Sequence, residues 1–143
     1  MIMGIKPSRS LLVSSALTGG TALAGLAVRF APLGLPQSVV KYGGSMLWAL
    51  MIYWVATTLL PRRQVIVVAI LSGAAATGVE FFKLYQSPAV NAFRLTVPGI
   101  LLLGRIYSAW DILAYWVGIG IGASIDLCIR QATAAEARAN RRL

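Results

Sequence analysis

The chain has no histidine, one cysteine (Cys128) and only four acidic residues among its 143. Without imidazole or a second thiol it cannot assemble the usual zinc sites, ligate haem, build a Ser-His or Cys-His nucleophilic pair, or close an internal disulfide. Charge is scarce too, at 12% of residues against about a quarter in soluble domains. What is abundant is apolar surface, with 58% hydrophobic residues and a mean hydropathy of +0.77. Such a chain belongs in a bilayer as one integral membrane domain covering 1–143, with little length left for a soluble catalytic module. Thirteen Lys and Arg give a net charge of +9. Because these residues sit between hydrophobic runs, the expected partner is anionic membrane lipid and not nucleic acid.

Charge-free stretches mark the spans, since a membrane-crossing helix needs about 20 mainly apolar residues. They predict an all-α, four-helix transmembrane bundle with helices at about 10–29, 43–60, 64–83 and 107–130. A fifth apolar run, Leu95 to Gly104, has about half the spanning length and is broken by Pro98 and Gly99. It reads as a re-entrant or interfacial segment at 95–104. Lys6 and Arg9 before Ala22-Leu23-Ala24 resemble a secretory signal, but the apolar stretch continues to Arg29, so an uncleaved helix is expected.

Lys and Arg at the span ends set topology. With the N-terminus inside, Lys6, Arg9, Arg62, Arg63, Arg130, Arg138, Arg141 and Arg142 face the cytoplasm, and Arg29, Lys41, Lys83, Arg94 and Arg105 lie outside. The expectation is therefore N-in and C-in, in a bacterial cytoplasmic membrane. The basic tail, 131–143, is Ala-rich and should continue the last helix as a topology anchor.

Counting along the helices at ~1.5 Å per residue places Arg29 about 30 Å from Arg9, Glu80 about 26 Å from Arg63 and Asp111 about 28 Å from Arg130. Three helices thus deliver ionisable groups to one level, the outer edge of the hydrocarbon. Charges at such depth need a partner, water or a ligand, so they mark either a functional site or a structural ion-pair network. Asp111, Tyr115, Gly118, Gly122 and Asp126 share one helix face. Gly73, Thr77 and Glu80 form a similar stripe, as do Ser14, Thr18, Ala22, Gly25 and Arg29. Gly73, Thr77, Gly118 and Gly122 are expected packing positions, where small residues let helices approach closely in lipid.

The outer group carries five cations (Arg29, Lys41, Lys83, Arg94 and Arg105) against Glu80 and Asp111, a surplus of +3 suited to an anionic or zwitterionic amphiphile. Trp54 and Trp116 are expected to pack, Asp126 to pair with Arg130 one turn on, and Cys128 to be a packing residue.

The stretch VEFFKLYQSPAVNAFRLTVPGILLLGRIYSAWDILAYWVGIGIG (Val79 to Gly122), with VRF at Val28 to Phe30 and KYGGSMLWAL at Lys41 to Leu50, resembles the bacterial membrane family known as domain of unknown function 2809. It is more distantly similar to VanZ-like proteins, some linked to glycopeptide tolerance and the cell envelope. The resemblance implies that the family's polar positions fall on Arg29, Tyr42, Glu80, Tyr85, Arg94, Asp111 and Tyr115. Lys83 stands where the family often has Gln, and Gly44 where it often has an acid, which removes one possible member of the cluster.

The preferred expectation is a non-enzymatic inner-membrane protein, without cofactor or metal, that binds a polar lipid or envelope-related amphiphile at the outer cluster. The alternative is an accessory subunit of a larger membrane complex, or a homo-oligomer, docked through the small-residue stripes. A third is a small transporter or enzyme using Glu80 and Asp111 as acid and base, for which no nucleophile or inverted repeat is visible.

Overall fold

The computed structural model describes residues 11–141. Six helices follow in order: α1 (Leu11–Phe30), α2 (Gln37–Leu59), α3 (Val65–Phe82), α4 (Pro88–Arg94), α5 (Val97–Leu102) and α6 (Ala109–Asn140). Among the described residues there is no strand. Four helices, α1, α2, α3 and α6, are long and apolar enough to cross a membrane. The protein is a multi-pass membrane protein with the all-α, four-span architecture expected from its hydrophobic runs. Ser10, Lys6, Arg9 and Arg142, which enter the span and topology expectations, lie outside the described residues.

The differences from the expected boundaries have local causes. The second span starts at Gln37, six residues before 43, because the helix begins directly after Pro36, whose extended ψ of 143° sets the boundary. Lys41 and Tyr42 therefore lie inside the helix, and a charge-free criterion cannot see a helix that begins with polar residues. Its other end falls at Leu60, just before Pro61, whose ring disfavours a helical predecessor. The last helix runs unbroken for 32 residues, about 48 Å, so its final turns and Arg138 extend beyond a hydrocarbon layer of about 30 Å.

The segment between α3 and α6 is two short helices and not a single interfacial run at 95–104. Each has its own start signal. Ser87 caps α4 by accepting the Val90 N–H at 3.3 Å, and Thr96 caps α5 by accepting the Gly99 N–H at 3.2 Å. Pro88 and Pro98 occupy the first turns, where a missing N–H costs nothing. Gly99 is needed for the crossing, because a Cβ there would strike the Phe93 carbonyl. Gly104, with φ +64°, closes α5 in the left-handed conformation that ends helices.

The core is an α2–α3–α6 unit. Helix α2 touches α1, α3 and α6, and α6 touches α3, whereas α1 packs against α2 alone. Tyr53, Trp54, Val68, Ala76, Tyr115 and Ile119 fill the centre. Close approach depends on glycine, as expected in lipid, where packing drives association. A Cβ on Gly118 would collide with the Met46 carbonyl, one on Gly122 with Leu50 and Tyr53, and one on Gly73 with the Trp116 ring. On α1, a Cβ at Gly25 would make only ordinary contact with Leu47 at 3.8 Å, so α1 rests less tightly on its neighbour. Exposed Leu12, Leu23, Ile66, Ile70, Ile106 and Trp110 point outward, a surface suited to acyl chains and not to water.

Candidate functional site

At the α4–α5 end of the molecule α3 stops and α6 starts, and the site is built on those two helix ends. Glu80, in the last turn of α3, is fully buried. Its Oε1 accepts the Ser108 backbone N–H at 2.7 Å, and its Oε2 accepts the Tyr115 hydroxyl at 2.7 Å. Ser108 precedes the first turn of α6 and makes no side-chain cap of its own. Glu80 takes over that office from another helix, placing a carboxylate at the positive end of the α6 dipole. Lys83, one turn on, folds back and donates to Glu80 Oε2. The same ammonium lies 3.9 Å from Asp111 Oδ2. Lys83 thus bridges carboxyl groups of α3 and α6 while only 7% exposed. Its stem lies against Gly104, where a side chain would crowd it.

Arg94 stands at the opposite pole of the same junction. Its NH2 donates to the Phe82 carbonyl at 2.8 Å and its NH1 to the Tyr85 carbonyl at 3.1 Å, with the guanidinium 5.7 Å from the Phe82 ring centroid. A cation here adds a second hydrogen bond to the Phe82 carbonyl, which already accepts the Tyr85 N–H, and complements the negative pole of α3. Arg94 is 3% exposed, so its fork is committed to the backbone.

Asp111 lies in the first turn of α6, 5% exposed, in the wall of a cavity of about 510 Å³. Helix α2 forms the floor through Lys41, Ser45, Trp48 and Met51. Helix α1 contributes one side through Thr21, Leu26 and Arg29, and Val79, Lys83, Asp111 and Tyr115 form the other. Residues 100–106 cover it, bringing Arg105. The space exists because α1 touches α2 but neither α3 nor α6. Four cations, Arg29, Lys41, Lys83 and Arg105, surround it with one acid, while Leu26, Leu47, Met51 and Leu101 make the remainder apolar. Trp48 stacks obliquely on Tyr115, ring centroids 5.4 Å apart, and its Nε1 has no hydrogen-bond partner.

The expected site residues therefore separate into groups. Arg29, Asp111 and Tyr115 line the cavity, and Glu80 is tied to it through Lys83 and Tyr115. Three residues expected to grip a ligand do not line it. Arg94 is engaged by carbonyls, Tyr85 is 57% exposed and stacks on Phe82, and Tyr42 is half-buried beneath the Lys41 ammonium. Lys41, Lys83 and Arg105 stand out in the sequence as topology markers and as part of the charge surplus, not as named site residues, yet all three border the cavity. Ser45 and the Ser108 amide carried no signal. Gly73, Gly118 and Gly122 are tight helix contacts, and Thr77 is half-buried with its hydroxyl unpartnered. Across the molecule, Asp126 accepts from Tyr53 at 3.0 Å and pairs with Arg130 at 3.1 Å, as its spacing suggested. Trp54 is a core residue, Trp116 is half out of the core with its ring on Gly73, and Cys128 is exposed and not packed.

Among the described residues no cluster of His, Cys, Asp and Glu could hold a metal ion. No solved structure matches this chain. The family described as Protein of unknown function (DUF2809) matches residues 34–119, from the α1–α2 connection to the third turn of α6. That stretch contains Lys41, Glu80, Lys83, Arg94, Arg105, Asp111 and Tyr115, and leaves out α1 with Arg29. With more than half of its length, and all of the site except the α1 wall, inside that match, the protein belongs to the DUF2809 family.

Proposed function

We propose that this chain is a bacterial inner-membrane protein that binds an anionic amphiphile, non-enzymatically, in the cavity between α1, α2 and α6. One observation carries the reading. A space large enough for a lipid headgroup and the start of its chains has four cations around it and an apolar remainder. Arg29 and Arg105 are exposed, so their guanidinium forks are free to take phosphate or carboxylate bidentately. The gap between α1 and α6 lets acyl chains enter from the bilayer side without crossing water.

The orientation belongs to the same proposal. Arg29, Lys41, Lys83 and Arg105 gather at one end, whereas Arg130 donates to the Arg63 carbonyl at the other, next to Arg62. The second end holds more basic residues along the sequence, so it is the cytoplasmic one and the cavity faces outward.

The test is native mass spectrometry of protein purified in mild detergent from an anionic-lipid membrane. Wild type should retain one anionic lipid, and the Arg29→Gln/Arg105→Gln pair should lose it. An Arg62→Gln/Arg63→Gln pair, equal in charge change but at the other end, should keep it. A stoichiometric protein partner with no bound lipid would overturn the reading and select the accessory-subunit class.

A further inference from the structure

The cavity is not uniformly cationic, and the exception narrows what it takes. Asp111 stands in its wall with the side chain 7% exposed, and among the described residues no group donates a hydrogen bond to its Oδ1. Lys83 approaches the other oxygen, Oδ2, at 3.9 Å, beyond hydrogen-bonding distance, and gives its direct bond to Glu80. The Ser45 hydroxyl on the cavity floor is the one neutral donor that acts on the Asp111 carboxyl, and its geometric hydrogen bond goes to the Lys41 carbonyl at 3.1 Å. Lys41, whose charge acts on Asp111 from α2, is exposed. A buried acceptor without a donor is unfavourable, and binding a group that supplies the donor relieves it.

Resting on the lipid-site reading, we propose that Asp111 selects, among anionic phospholipids, those whose headgroup carries a hydroxyl next to the phosphate. Arg29, Arg105 and Lys41 take the phosphate, and the headgroup hydroxyl donates to Asp111. The charge balance argues against the other common donor, an ammonium. With four cations and one carboxyl already around the cavity, a cationic headgroup adds repulsion, whereas a polyol headgroup brings a donor without charge. Tyr115, in the same wall, already gives its hydroxyl hydrogen to Glu80, so it does not compete for the Asp111 oxygen.

Three phospholipids with identical acyl chains separate the possibilities. Phosphatidylglycerol has one negative charge and headgroup hydroxyls, phosphatidylmethanol the same charge and no donor, and phosphatidylethanolamine a donor but no net charge. In native mass spectrometry of delipidated protein titrated with each, phosphatidylglycerol should bind about tenfold tighter than phosphatidylmethanol, the usual order for one hydrogen bond to a buried group. Phosphatidylethanolamine should bind weakest. Asp111→Ala should reduce the glycerol-over-methanol preference to about unity, a ratio read within the one variant whatever its overall affinity. Equal binding of the two anionic lipids to wild type overturns the inference while the lipid site stands, and no binding of either overturns both. An Asp111→Ala protein that retains the preference also overturns it. The wild-type comparison needs no variant, so a misfolded mutant cannot mask the result.

Discussion

Both ends of this bundle bury an acid against a tyrosine and a cation, yet the two constructions differ. At the end opposite α4 and α5, Asp126 sits on α6 with Arg130 one turn away and Tyr53 facing it from α2. Tyr53 comes from α2 and Asp126 and Arg130 from α6, two helices that Gly118 and Gly122 hold in contact, and Asp126 is fully enclosed. At the α4–α5 end, Glu80, Lys83, Ser108, Asp111 and Tyr115 come from α3, α6 and the loop between, and the assembly borders open space. The first arrangement pins two helices. The second pins the α3–α6 junction and leaves Asp111 and the exposed Arg29, Lys41 and Arg105 bordering the cavity, so the same residue types are enclosed at one end and face open space at the other.

The largest effect that sharpens this contrast comes from removing each acid. Glu80→Ala leaves Lys83 buried beside Asp111 alone, strands the Tyr115 hydroxyl and uncaps α6. Loss of one partner from a buried charged network costs about 3–5 kcal/mol. Asp126→Ala should cost less, about 2 kcal/mol, because Arg130 is 14% exposed at its side chain and already holds the Arg63 carbonyl. Unfolding in mixed detergent, followed by circular dichroism, reads both. Equal losses would mean that the two ends are equivalent structural clamps.

Next in size is the packing that holds α2 on α6. Gly118→Ala drives a methyl into the Met46 carbonyl, a backbone atom that cannot step aside, and should cost about 2 kcal/mol as the helices part. Gly120→Ala, on the same helix with nothing near it, should cost nothing measurable. If the two variants unfold alike, close α2–α6 approach is not what secures the Asp126 end.

Much of this was legible in the residues because membrane depth is a one-dimensional quantity. Charge-free length located the spans, and counting from Arg63 and Arg130 brought Glu80 and Asp111 to one height, where Lys83 joins them. Gly118 and Gly122, four residues apart on α6, both lie against α2. Azimuth is what counting cannot supply. Arg94 lies at the right height, but the turn from α3 into α4 aims it at the Phe82 and Tyr85 carbonyls and away from the cavity. Tyr42 shares that height and does not line the cavity. Nor does composition show that α1 rests on α2 alone, the packing choice that leaves a cavity at all. The Ser108 amide, which Glu80 caps, is a backbone group that any residue would present.

The smallest expected effect is also the most selective. Tyr53→Phe and Tyr115→Phe each remove one hydroxyl and preserve the ring, so each deletes a hydrogen bond to a carboxyl oxygen, worth about 1.5 kcal/mol. Stability should therefore fall by similar amounts. Lipid retention should not, because Tyr115 is in the cavity wall and restrains Glu80, which in turn holds Lys83, whereas Tyr53 touches none of these. With Tyr115→Phe, Lys83 loses part of the geometry that fixes its ammonium between Glu80 and Asp111, and bound anionic lipid should dissociate about threefold more readily. Tyr53→Phe should match wild type in the same mass-spectrometric assay. If both variants weaken lipid retention equally, the cavity responds to general loosening of the bundle, and the division between a clamped end and a binding end fails.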